Sequence, residues 1–233
     1  MNKIANIFQV VVFFPIFIVL KTFYGFEVRG RDNLKGLSPK DAAIYAANHC
    51  GPFDGVITAV AIAMPWNGFR LGAFLPIRYL AFEDYFSWVK FDGPFPFPIS
   101  FFVASWLRLS ACIPVKSRRK DQIGKVFVED VLSFAIQALK NGERIFIFPE
   151  GKMNKNNKLQ KAKRGVACLH KESGAPIVPI HISGTFRMLQ KRQKVVVTFG
   201  KPMNFTIRND QALSDMAVVA NNVMKEISQL AKK

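Results

Sequence analysis

Four short apolar runs, each closed by a turn signal, constrain this chain most: DAAIYAAN at 41–48, ACIPV at 111–115, RIFIF at 144–148 and IVPIHI at 177–182. Uninterrupted and short, they read as buried strands. Between them lie helical patterns. GVITAVAIAM follows Asp54 and stops before Pro65, and Ile123, Phe127, Val131, Phe134 and Ala138 share one helical face ending at the Asn141-Gly142 cap signal. A further helix is predicted from about Lys161 to Glu172, and Leu213, Met216, Ala220, Val223, Ile227 and Leu230 trace a C-terminal stripe. Strands alternating with helices give an α/β fold with a largely parallel central sheet flanked by helices. In such a sheet the loops after the strands gather at one edge and build the site. The stretch from Trp66 to Ser110 carries no clear period. Its aromatics and its GPFPFP at 93–98 fit either a lipid-facing or acyl-pocket wall or an irregular part of the core.

A separate feature stands at the N-terminus. Residues 4–20, IANIFQVVVFFPIFIVL, would cover about 26 Å as a helix, just short of a ~30 Å hydrocarbon core. The run has no small-residue cleavage pattern, so it reads as a retained apolar membrane-associating helical segment, residues 1–25, ahead of a folded domain, residues 26–233. Lys21, Arg29, Arg31 and Lys35 behind it place that domain on the cytoplasmic side, at the inner membrane if the cell is bacterial. A buried core helix is the other reading of so short a run. Half the residues are hydrophobic, yet 33 Lys and Arg against 16 Asp and Glu leave a formal charge of +17. Apolar and basic together fit an anionic membrane surface as partner. A nucleic-acid partner is not expected: the basic runs lack interleaved aromatics and no nucleic-acid motif is present. Cys50, Cys112 and Cys168 have no metal or redox spacing and read as reduced thiols.

The chemistry concentrates where the first strand ends. NHCGPFDG at 48–55 holds a histidine and an aspartate around a Gly-Pro turn. Histidine titrates near neutrality and suits proton transfer, and a nearby aspartate can orient it and stabilise its imidazolium. The plainer reading makes Asp54 the N-cap of the next helix. Cys50 invites a third, a thiol nucleophile with His49 as its base, but adjacent residues rarely face each other. His170 and His181 show no ligand spacing with His49, so no metal is assigned.

Taken in order, these residues resemble the glycerolipid acyltransferase family, typified by the 1-acyl-glycerol-3-phosphate acyltransferases. The resemblance rests on Asn48-His49-Cys50-Gly51-Pro52-Phe53-Asp54, on Phe148-Pro149-Glu150-Gly151 and on Ile177-Val178-Pro179-Ile180. EVRGRDNL at 27–34 and VVVTFGKPM at 195–203 add the lead-in and closing strands. It implies a membrane-associated O-acyltransferase that moves a fatty acyl group from acyl-coenzyme A or acyl-carrier protein to a hydroxyl of a lysolipid or glycerolipid. No cofactor is implied beyond the acyl donor. His49 would be the general base and Asp54 its orienting group. Glu150, Gly151, Lys116, Arg118, Arg119 and Lys152 would hold the acceptor, with Asn48, Phe148, Pro149 and Pro179 supporting the motifs. Two departures fall where the family reads the acceptor phosphate. Lys116-Ser117 precede Arg118-Arg119 in IPVKSRRK, and Asn154 stands where Ser or Thr is usual. Lysophosphatidic acid is thus the default acceptor, with its identity open. A non-catalytic lipid-binding or tethering protein of the same fold is the alternative.

Overall fold

The structure, a computed structural model, describes residues 3–38, 41–64, 75–86, 98–115, 128–154, 159–208 and 212–232. Among the described residues seven strands form one sheet: β1 (Glu27–Arg29), β2 (Ala43–Ala47), β3 (Ile77–Phe82), β4 (Ile113–Val115), β5 (Arg144–Ile147), β6 (Ile177–Ser183) and β7 (Val196–Phe199). Their order is β1-β7-β6-β2-β5-β3-β4. Every pairing is parallel except β6 with β7. The expected α/β sheet is therefore present, with β1 and β7 reversed at one side.

Among the described residues six helices cover it: α1 (Lys3–Tyr24), α2 (Asp54–Ala63), α3 (Ile99–Leu109), α4 (Val128–Lys140), α5 (Gly165–Ser173) and α6 (Ala212–Leu230). The burial pattern of β2 explains the layering. All five of its residues are buried, and alternate ones feed opposite cores. Ala43, Tyr45 and Ala47 meet α1 and α2, while Ile44 and Ala46 meet α4, α5 and α6. Arg31, in a 3₁₀ turn after β1, donates from Nη2 to the Ile62 carbonyl at 2.7 Å and so caps the C-terminal end of α2.

Three helical expectations needed revision. On α4 the buried side chains are Leu132, Ala135, Ile136, Ala138 and Leu139, so Ala138 is buried as expected while Phe134 is 71% exposed on another side; Ile123 and Phe127 lie outside the described residues. Aliphatic side chains on adjacent faces left the inner stripe ambiguous. The helix expected from Lys161 starts at Gly165 instead, because the N–H groups of Gln160 and Lys163 are drawn to Glu150 Oε2 and the Pro149 carbonyl. On α6, Leu213 is exposed while Met216, Ala220, Val223, Ile227 and Leu230 are buried as expected. The Asn141-Gly142 signal does end α4: Gly142 takes φ +77°, and Glu143 N–H returns to the Ala138 carbonyl at 3.0 Å. The stretch without a clear period supplies β3, a 3₁₀ turn at Glu83–Phe86 and α3. Residues 93–97 of GPFPFP lie outside the described residues.

Helix α1 is docked along one side and bare along the other. Ala5, Gln9, Phe13 and Leu20 are buried against the domain. Gln9 is fully satisfied there: Nε2 donates to the carbonyls of Ile77 at 2.9 Å and Ser110 at 3.0 Å, and Oε1 accepts from Ile77 N–H at 3.0 Å. Ile4, Ile7, Val11, Phe14 and Ile18 follow a helical period on the opposite face and are exposed. The helix is long and apolar enough to cross a membrane by length and composition.

Candidate active site

Because β2 lies between β6 and β5, the loops after these three strands leave the sheet side by side, about 5 Å apart. That adjacency brings residues a hundred positions apart into contact. His49 lies two residues beyond the end of β2. Its Nδ1 stands 3.0 Å from Asp54 Oδ2. The turn folds the ring back onto α2, where Asp54 is the first helical residue and Phe53 the N-cap. Asp54 therefore caps nothing downstream. Its Oδ2 instead accepts the main-chain N–H groups of Cys50 at 2.6 Å and Gly51 at 2.7 Å. Three donors thus converge on one oxygen of a fully buried carboxylate, while Oδ1 has no partner. Gly51 must be glycine here: a Cβ would come within 2.5 Å of the Thr185 carbonyl oxygen on the loop after β6.

The loop after β5 completes the arrangement. Phe148 stacks on the His49 ring, centroids 3.9 Å apart and planes 9° from parallel. Glu150 Oε1 accepts the His49 N–H at 3.0 Å, and Asn154 N–H donates to the His49 carbonyl at 2.8 Å. Gly151 holds φ +69° in a tight turn closed by its N–H on the Phe148 carbonyl at 2.9 Å. The Lys163 side chain crosses over it, so that a Cβ at 151 would meet Lys163 Nζ at 2.7 Å. Asn48 joins β2 to β6: Nδ2 donates to the Ile182 carbonyl at 2.9 Å, and Oδ1 accepts Ile182 N–H at 2.7 Å. With Nδ1 on Asp54, the His49 side chain is 20% exposed. Nε2 has no partner among the described residues.

A model of the Acyltransferase family matches residues 98–183, which include Phe148 to Gly151 and the Ile177–Ile180 strand. Two curated relatives are chloroplastic 1-acyl-sn-glycerol-3-phosphate acyltransferases. The protein from Brassica napus is 24% identical over 185 residues, covering 78% of this chain and 44% of its own. That from Arabidopsis thaliana is 25% identical over 185 residues, covering 78% and 43%. The chain is thus similar in sequence to glycerolipid acyltransferases. It spans less than half the length of those two relatives. The crystal structure of the 1-acyl-sn-glycerophosphate acyltransferase PlsC from Thermotoga maritima matches its fold with a TM-score of 0.56. That match is 17% identical and covers 98% of both chains.

The remaining sequence-predicted residues divide clearly. His49, Asp54, Asn48, Phe148, Pro149, Glu150 and Gly151 share one cluster through the contacts above. Lys152 is exposed beside it. Pro179 sits mid-strand on β6, opposite Ala46 in register, and its ring lies against Gly200. It shapes the sheet rather than the site. Lys116, Arg118 and Arg119 lie outside the described residues. Sequence reasoning missed Thr185, the Lys163 crossing and the main-chain donors of Asn154 and Gln160. Only Lys163 carried a signal, its place in a basic run after Gly151.

Two chemical possibilities narrow. The N–H groups of Cys50, Gly51 and Asp54 are already engaged, by Asp54 Oδ2 and by the Gly51 carbonyl, so these three do not wait for an oxyanion. Burial pushes the Cys50 thiol up to about 11, and its sulfur accepts from Asn48 Nδ2 at 3.1 Å rather than facing His49. A thiol titrating that high is protonated at neutral pH and a poor nucleophile. Cys50→Ala should therefore keep its turnover. Alkylation of Cys50 at pH 7–8 should be slow and should quicken as pH rises toward 11; rapid labelling at pH 7 with loss of activity would reverse this reading.

Proposed function

We propose that the chain is an O-acyltransferase that moves a fatty acyl group from a thioester, acyl-coenzyme A or acyl-carrier protein, to a hydroxyl of a lysolipid or glycerolipid. The observation that carries the reading is the His49 ring, held between Asp54 Oδ2 and the face of Phe148 with Nε2 open. In the proposed step His49 Nε2 takes the acceptor's hydroxyl proton as the oxygen attacks the thioester carbonyl carbon. Collapse of the tetrahedral intermediate breaks the C–S bond, and the imidazolium returns its proton to the departing sulfur. Asp54 keeps Nδ1 protonated and offsets the charge that forms on the ring. Transfer is direct, with no acyl-enzyme, in keeping with the protonated Cys50.

The acceptor is proposed to lie beside the Phe148–Gly151 turn, over which the Lys163 side chain passes. Lys152 and Lys163 would face its headgroup there, with Lys116, Arg118 and Arg119 as further candidates for a phosphate. Lysophosphatidic acid is the default acceptor. Membrane attachment is proposed to run through α1, which would stay docked by Gln9 while Ile4, Ile7, Val11, Phe14 and Ile18 enter one leaflet. The basic surface would favour anionic lipid, at ~1 kcal/mol for each cation near the headgroups, with the domain on the cytoplasmic face.

The test is thiol release from long-chain acyl-coenzyme A and acyl-carrier protein by the full chain on phosphatidylethanolamine vesicles, with and without phosphatidylglycerol. Acceptors would include lysophosphatidic acid, other lysophospholipids and lipids with a free hydroxyl. Acceptor-dependent release by sedimenting, vesicle-bound protein is expected. Vesicle binding with no release for any acceptor would favour the non-catalytic lipid-binding reading instead.

A further inference from the structure

Glu150 stands in the motif where an acceptor ligand is expected, yet its carboxylate turns inward. It is 2% exposed. Oε1 accepts the main-chain N–H of His49 at 3.0 Å and Oε2 that of Gln160 at 2.9 Å. The same loop holds the other side of the His49 peptide through Asn154 N–H on its carbonyl at 2.8 Å, and Phe148 supports the ring from below. Main chain and imidazole of one residue are thus fixed from a single loop. A buried carboxylate that accepts main-chain N–H groups makes charge-assisted bonds, stronger than neutral ones. Both oxygens point to backbone donors, leaving no side of the group for a bulky glycerol unit to approach.

We infer that Glu150 is a positioning residue, which sets the place of the His49 ring by clamping its main chain to the 159–160 segment, and not a ligand of the acceptor. This assignment rests on the acyl-transfer reading. Glu150→Gln is isosteric but cannot serve both donors: whichever way the amide turns, an NH₂ faces either His49 N–H or Gln160 N–H. One clamp point is lost and two donors are opposed in a buried place. A displacement of the base by about 1 Å can cost on the order of 10²-fold in rate. An acceptor ligand would behave otherwise, since an amide can still bond a hydroxyl in the ground state.

The experiment compares kcat, the acceptor KM and thermal unfolding for wild type, Glu150→Gln and His49→Ala, using acyl-coenzyme A and the acceptor panel on vesicles. Expected for Glu150→Gln is a fall in kcat of about 10–100-fold per folded molecule with the acceptor KM within about twofold of wild type. A raised acceptor KM with kcat kept would overturn the inference in favour of an acceptor ligand. A lowered midpoint of unfolding with kcat kept would overturn it in favour of a purely structural role. Either of those results leaves the acyl-transfer reading standing, because wild type would still exceed His49→Ala. Wild type equal to His49→Ala with every acceptor would remove that reading and this inference together. Should Glu150→Gln fail to fold, Gln160→Pro deletes the second donor and leaves the carboxylate. A fall in kcat at constant acceptor KM then supports the clamp, and an unchanged kcat overturns it.

Discussion

His49→Ala is expected to lower acyl transfer by about 10²–10⁴-fold while the protein stays folded, because general-base catalysis contributes a factor of that size. The two halves of the expectation have separate physical origins. The catalytic half follows from Nε2, the open ring nitrogen of the proposed base, whose other nitrogen is fixed at 3.0 Å from Asp54 Oδ2. The structural half follows from what does not depend on the imidazole. Cys50 and Gly51 still donate to Asp54 Oδ2, and Glu150 and Asn154 still hold the peptide groups of residue 49. What is lost is the stacking on Phe148, about 0.5–1.5 kcal/mol beyond the area buried. Rate and thermal midpoint should therefore separate, with a collapse in kcat beside a shift of a few degrees. Turnover retained by folded His49→Ala would mean that the hydroxyl loses its proton elsewhere.

The parts of this molecule that were legible in its sequence are those written in local side-chain chemistry. β2, β5 and β6 were readable because AIYAA, RIFI and IVPIHIS are short apolar runs beside turn residues. The pairing of His49 with Asp54 was readable because both lie on one turn, and Gly51 and Pro52 make that turn tight. What stayed hidden depends on the main chain. The N–H groups of Asn154 and Gln160 carry no residue signature, so the inward turn of Glu150 could not be foreseen from Phe-Pro-Glu-Gly. The late start of α5 has the same cause, since Gln160 and Lys163 lend their N–H groups to the site loop. The inner face of α4 was hidden for another reason. Hydrophobicity alone favoured Phe134, whereas the sheet selected the stripe from Leu132 to Leu139.

Replacing Asp54 should separate charge from geometry more cleanly than is usual for an orienting carboxylate. In Asp54→Asn the amide has two possible settings, and only one suits the turn. Cys50 and Gly51 both donate to Oδ2, at 2.6 and 2.7 Å, so the amide oxygen must take that place. The NH₂ then falls at Oδ1, which has no donor against it. His49 Nδ1–H still finds an oxygen, so the productive tautomer is kept and only the negative charge is removed. At an effective dielectric constant of about 20, a unit charge roughly 4 Å from an imidazolium contributes about 4 kcal/mol. That corresponds to a loss of up to about 10³-fold in kcat at 1.36 kcal/mol per tenfold. Asp54→Ala removes the acceptor as well, leaving the buried Cys50 and Gly51 N–H groups unsatisfied at about 1–3 kcal/mol each. It should therefore be slower still and unfold several degrees lower. Parallel kcat and unfolding measurements on the two variants decide the matter. Asp54→Asn as active as wild type would show that the charge does not matter, and Asp54→Asn as unstable as Asp54→Ala would show that the amide is not held by the two main-chain donors.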